Sequence, residues 1–161
     1  MIYILAGAIR SGKTTALQNW VKGRVDVDGF LCPDDNNGKR YFLNVKSGED
    51  FELESASETA DVVVIGPFRF LKSAFKKAND LLVSFSSETE NRYIIFDELG
   101  KLELRNEGLY RSAETLISKF MLNETQHLIL VVRDYLLSDI IESYHISEYS
   151  VIEKEDLKTL N

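Results

Sequence analysis

The sequence predicts an α/β fold, a mostly parallel sheet flanked by helices, and three observations carry that expectation. Short apolar runs alternate with helix-length amphipathic stretches along the 161 residues, the pattern of parallel strands joined by crossover helices. Between the first run and the first such stretch lies G-A-I-R-S-G-K-T, where Gly7, Gly12, Lys13 and Thr14 fit the P-loop (Walker A) pattern G-x-x-x-x-G-K-[ST]. A later run, Tyr93-Ile94-Ile95-Phe96, ends on Asp97-Glu98. Two carboxylates then sit at the carboxyl end of a strand, where open α/β sheets bind ligands.

Residues 2–6 are continuously apolar rather than alternating, which suits a strand buried on both faces. From Lys13, residues Ala16, Leu17, Trp20 and Val21 recur at helical spacing, and Gly23 is a stop. Residues 25–32 form a second strand closed by Pro33, and Asp34-Asp35-Asn36-Asn37-Gly38 is a loop. Residues 41–46 and 51–54 flank Ser47-Gly48-Glu49-Asp50 as a small antiparallel hairpin. Residues 62–65 are a further strand, ended by Gly66-Pro67. The stretch from Phe68 places Leu71, Ala74, Phe75, Ala78, Leu82 and Phe85 on one helical face, a core-facing surface. A loop at 84–91 precedes the Tyr93 strand. Leu109, Ala113, Leu116, Ile117 and Phe120 mark an amphipathic helix, followed by a strand at 128–132. A short helix at 135–144, a last strand at 149–152 and an acidic tail in loop conformation complete the chain.

The length suits one domain, residues 1–161, with a proper core. A net charge of −7 argues against a phosphate-backbone footprint, so nucleic acid is not an expected partner. No apolar run approaches the roughly 18 residues of a membrane span. No basic region precedes the first run, so a cleaved signal peptide is not expected. Cys32 is the one cysteine, which excludes an internal disulfide and suits a reducing, cytoplasmic location. It reads as a small hydrophobe rather than a reactive thiol.

The P-loop spacing has a chemical reason. Its glycines let backbone N–H groups converge on phosphate oxygens, and the following helix adds its positive dipole end. Gly7, Ala8, Ile9, Arg10, Ser11, Gly12, Lys13, Thr14 and Thr15 are therefore the candidate triphosphate-binding residues. Lys13 reaches the β- and γ-phosphates, and the Thr14 hydroxyl binds Mg²⁺, the expected cofactor. Asp97 is the metal-binding carboxylate on the opposite side. Glu98 beside it can polarise water for attack on the γ-phosphate, or deprotonate an acceptor hydroxyl. His127 and His145 have no metal-ligand spacing and read as structural.

Residues 97–104 read D-E-L-G-K-L-E-L. This resembles the D-E-I-G-K-M-E-L signature of the small P-loop nucleoside-triphosphatases first described in thermophiles. Gly29-Phe30, Gly38-Lys39-Arg40 and Gly66 agree as well, so the likeness spans most of the chain. The resemblance implies a single-domain, RecA-like NTPase that hydrolyses ATP, GTP and other nucleoside triphosphates slowly. It also implies that the 128–132 strand lies between the P-loop strand and the Asp97 strand. Arg133 at its end would face the γ-phosphate as a third catalytic residue beside Lys13 and Glu98. The alternative for Arg133 is a surface arginine at a strand-to-helix turn. Arg10, Arg69 and Arg105 are weaker candidates for the same charge. Lys101 and Glu103, inside the signature, are expected to hold the loop's shape, an exposed ion pair between them contributing little.

Ala8-Ile9-Arg10-Ser11 depart from the Pro/Gly-rich loop common in that family and resemble small-molecule kinases as closely. Three functions follow: hydrolysis with water as acceptor, phosphoryl transfer to a small hydroxyl compound, and a regulatory nucleotide-binding module. The absence of an N-K-x-D-type segment after Asp97 argues against a guanine-selective switch.

Overall fold

The protein is described here by a computed structural model covering residues 1–58, 60–85 and 90–160. The elements run β1 (Ile2–Gly7), α1 (Lys13–Trp20), β2 (Val27–Leu31), β3 (Tyr41–Asn44), β4 (Asp50–Glu52), β5 (Val62–Ile65), β6 (Phe68–Leu71), α2 (Lys72–Phe85), β7 (Tyr93–Leu99), α3 (Tyr110–Met121), β8 (His127–Arg133), α4 (Leu137–Ser143) and β9 (Tyr149–Ile152). Short 3₁₀ segments occupy Glu103–Arg105, Asp134–Leu136 and Lys154–Thr159. No helix among the described residues is long and apolar enough to cross a membrane.

Seven strands form one sheet in the order β4-β3-β2-β7-β8-β1-β9. The run from β2 to β9 is parallel, and the β3–β4 hairpin extends it antiparallel at one edge. The fold class is as predicted, and β8 does lie between β1 and β7. Alternate side chains of the central strands enter two separate cores, which explains why these runs have no polar face. Ile2, Ile4, Ile94, Phe96, Leu128 and Leu130 join the core under α2 and α3. Leu5, Tyr93, Ile95, Ile129 and Val131 join the other, under α1 and the C-terminal 3₁₀ segment. At Gly29, φ is +115° and a Cβ would collide with the Ile95 backbone, so glycine lets β2 lie close against β7.

Three stretches differ from expectation. Residues 68–71 are strand, not the start of a helix: Gly66-Pro67 is the turn of a separate two-stranded sheet, β5–β6. The side chains there alternate, with Phe68 and Phe70 stacked on one face at 5.9 Å, and the helical period begins only at Lys72. The hairpin is fastened to residues 53–55 by Leu71 N–H to Leu53 O (2.8 Å) and Ser55 N–H to Arg69 O (2.9 Å). The acidic tail is not loop, because a capping box between Glu153 and Asp156 starts a 3₁₀ turn. That turn buries Leu157 and Leu160 against α1. Of the loop expected at 84–91, residues 84 and 85 close α2, and 86–89 lie outside the described residues.

Candidate functional site

The parallel register fixes where the chemistry gathers. Gly7 pairs with Arg133 and Phe96 with Leu130, so β1, β7 and β8 end at the same edge of the sheet. The P-loop leaves β1 there, and Asp97 and Glu98 leave the paired part of β7 beside it. Gly12 sits at φ +86° as the N-cap of α1, with no side-chain cap on the helix. The first amides of α1 are therefore not taken by a side-chain cap, the arrangement that favours an anion.

Lys13 is buried at 7% exposure, and its Nζ donates to Gly7 O (2.7 Å) and Ala8 O (2.8 Å) across its own loop. Burial pulls its ammonium below the usual lysine range, opposed by the charges of Glu98 and Asp97. Ala8, Ile9, Arg10 and Thr15 are exposed, and Ser11 and Gly12 half-buried. Arg10 through Thr15 line a cleft of about 310 Å³, closed on the far side by Cys32, Pro33, Asp34, Arg40 and Glu98.

Thr14 Oγ1 donates to Asp97 Oδ2 at 2.8 Å, joining the end of the loop to the end of β7. The Cys32 backbone N–H donates to the same oxygen at 3.0 Å. Asp97 is 2% exposed, and burial raises its carboxyl to about 6, against the two hydrogen bonds it accepts. Among the described residues no three His, Cys, Asp or Glu side chains cluster as a metal cage. Mg²⁺ does not need one, since it commonly takes one or two protein oxygens with phosphate and water completing the shell. A hydroxyl and a carboxylate already in contact, both hard oxygen donors, fit that ion.

Glu98 Oε1 lies 2.7 Å from Arg133 Nη2, with about a fifth of each side chain exposed. Arg133 is thus at the sheet edge with the other candidates, held on Glu98, rather than pointing freely to solvent. Arg69 and Arg105 are not brought there. Arg69 Nη2 donates to Ser57 O (3.3 Å), and Arg105 pairs with Glu107 on the surface. His127 starts β8, away from this edge, packed between the rings of Tyr3 and Tyr93.

In the signature turn Glu103 holds the loop's shape, as expected, but from a buried position. Glu103 is 4% exposed and forms no exposed pair with Lys101. Its Oε2 accepts from Gly100 N–H (2.8 Å) and its Oε1 from Leu109 N–H (2.9 Å), closing the turn after β7. Burial raises this carboxyl to about 7. Lys101 is exposed, 5.9 Å from the Tyr135 ring centroid.

Arg40 escaped the sequence reading as a site residue. The turn at 35–39, closed by Asp35 N–H to Lys39 O, folds the chain back so that Asp34 bridges Arg40. The Arg40 guanidinium lies 5.5 Å from the Phe68 ring and 3.8 Å from Asp34. Together with Glu98 it lines both the P-loop cleft and a second, largely apolar cavity of about 90 Å³ behind it. The sequence signal was its place in Gly38-Lys39-Arg40, one of the segments that carry the family likeness.

A model of the NTPase family matches residues 2–157 of the chain. Among solved structures, THEP1 from the hyperthermophile Aquifex aeolicus is similar in fold. The alignment covers 100% of this chain and 97% of that one, with a TM-score of 0.74 at 18% identity. No curated protein matches significantly.

Proposed function

The chain belongs to the NTPase family, a nucleotide-binding family, and on that premise we propose that it is an Mg²⁺-dependent nucleoside-triphosphate hydrolase. It would convert ATP, GTP and other nucleoside triphosphates slowly to diphosphate and phosphate, acting as one domain. The single cysteine supports a reducing, cytoplasmic setting. The observation that carries the reading is the Thr14–Asp97 hydrogen bond, which joins the end of the P-loop to the segment of β7 that carries Glu98.

The P-loop amides and Lys13 bind the phosphates, Lys13 exchanging the Gly7 and Ala8 carbonyls for phosphate oxygens. Thr14 and Asp97 would hold Mg²⁺, which when bound offsets phosphate charge. Glu98 orients water toward the γ-phosphorus and takes up its proton. Arg133 fixes the Glu98 carboxylate in one direction and brings positive charge to the edge where the γ-phosphate would sit. Arg40 adds a second cation on the same side.

Phosphate release from ATP, GTP, CTP and UTP, measured with Mg²⁺ and again with EDTA, tests this. Release with all four that disappears in EDTA is expected. Nucleotide binding without metal-dependent release would leave a regulatory module instead.

A further inference from the structure

The apolar cavity behind Glu98 has no part in the hydrolysis just described. We propose that it is an acceptor subsite, where the chain transfers the γ-phosphoryl group to the hydroxyl of a small alcohol with an apolar body. The proposal rests on the triphosphate reading above.

Phe42, Leu53, Ile65, Phe70, Phe75 and Leu109 form most of its wall, and Arg40, Asp97, Glu98, Lys101, Glu103 and Arg133 are the charged residues of its lining. A hydrolase needs no such chamber: the charged residues on one side can hold a water, which requires two to four polar partners, and the aromatic and aliphatic remainder offers it none. Of the two buried carboxyls in the lining, Asp97 is held by Thr14 and Cys32, and Glu103 is committed through both oxygens to Gly100 and Leu109. The β5–β6 hairpin that supplies Ile65, Phe68 and Phe70 is held in place by backbone hydrogen bonds to residues 53–55, so the wall is a built element. Arg40 and Glu98 belong both to this cavity and to the P-loop cleft. A hydroxyl entering from the apolar side would therefore meet the Glu98 carboxylate with the triphosphate site beyond it.

Size narrows the class. An apolar cavity of roughly 150 Å³ holds one benzene, so about 90 Å³ with an open mouth suits a body of roughly three to five carbons. A nucleoside or fused ring system is too large. In the step itself, the hydroxyl oxygen bonds to the γ-phosphorus as the bond to the bridging oxygen breaks. The hydroxyl proton passes to the Glu98 carboxylate, and the nucleoside diphosphate leaves with the electron pair of the broken bond. The products are a phosphomonoester and a diphosphate.

The test is ³¹P NMR of the full chain with Mg²⁺ and ATP, in the presence of isobutanol, isopentyl alcohol or cyclopentanol, with glycerol as the polar comparator. At least one apolar alcohol should give phosphomonoester in about tenfold excess over glycerol, since a seated hydroxyl outcompetes one merely dissolved. Ile65→Trp, filling the cavity, should lower the ester-to-phosphate ratio by about tenfold. A nucleotide-dependent shift in melting temperature checks that this variant is folded, and the glycerol comparison decides without it. Inorganic phosphate alone with every alcohol overturns the acceptor subsite and leaves the hydrolase standing. Ester formation that glycerol matches overturns the assignment to this cavity. Neither product overturns both readings.

Discussion

Asp97 and Glu103 are two carboxylates of one eight-residue segment, both nearly inaccessible and both raised by burial, to about 6 and about 7. Their partners separate them. Glu103 accepts from Gly100 and Leu109, groups of its own turn, and spends both oxygens there. Asp97 uses one oxygen for two donors, and those donors come from elsewhere: Thr14 on the P-loop and Cys32 at the end of β2. One carboxylate closes a loop, and the other joins the ends of β7 and β2 to the start of α1. Burial is common to both carboxyls; the origin of their donors is what separates them.

Breaking the functional side should cost the most. Glu98→Gln keeps the shape but removes the proton acceptor, so phosphate release should fall by roughly 100- to 1,000-fold with nucleotide binding retained. A wild-type rate would remove Glu98 from the mechanism. On the structural side, Glu103→Ala leaves two buried N–H groups unpaired and should cost roughly 2–4 kcal/mol of unfolding free energy. Denaturant melts check this, and a loss below about 0.5 kcal/mol would mean the turn closes without it.

Asp97→Asn sharpens the contrast, because burial already disfavours the charged form. Stability should change by less than about 1 kcal/mol. The Mg²⁺ concentration for half-maximal phosphate release should rise by about tenfold; an unchanged requirement would take Asp97 out of the metal site. For Glu103 the sign with pH is fixed. A carboxyl at about 7 when folded and 4.5 ordinarily binds more protons folded than unfolded in that interval. Its contribution is fully present below about 4.5 and is lost as pH rises through about 7. Wild type should therefore lose stability relative to Glu103→Gln across this window, and parallel pH curves would contradict the shift. Lys101→Ala should do least, within about 0.5 kcal/mol of stability and about twofold in phosphate release.

The site's backbone was legible because its rules are local. Two glycines, a lysine and a threonine at fixed spacing after an apolar strand form the P-loop pattern, and Asp97 follows from an apolar run ending on an acid. The parallel sheet was legible for a similar reason, since strands buried on both faces must be apolar throughout. Residues 68–71 were misread because four residues cannot separate a period of 2 from one of 3.6 when Leu71 also fits the stripe of α2. Glu103 looked exposed because a lone glutamate in a charged segment carries no mark of the N–H groups it will meet.

By itself, then, the sequence determined the fold class, the P-loop motif and the Asp97-Glu98 pair at a strand end, all consequences of spacing along the chain. Tertiary structure decided how the arginines are placed: Arg133 pairs with Glu98, Arg40 lines the same two cavities as Glu98, and Arg69 and Arg105 are drawn away. It also decided that a hairpin, rather than a helix, walls an apolar cavity beside the reacting edge. Long-range placement of side chains depends on how strands order in the sheet, and residue spacing carries no record of that.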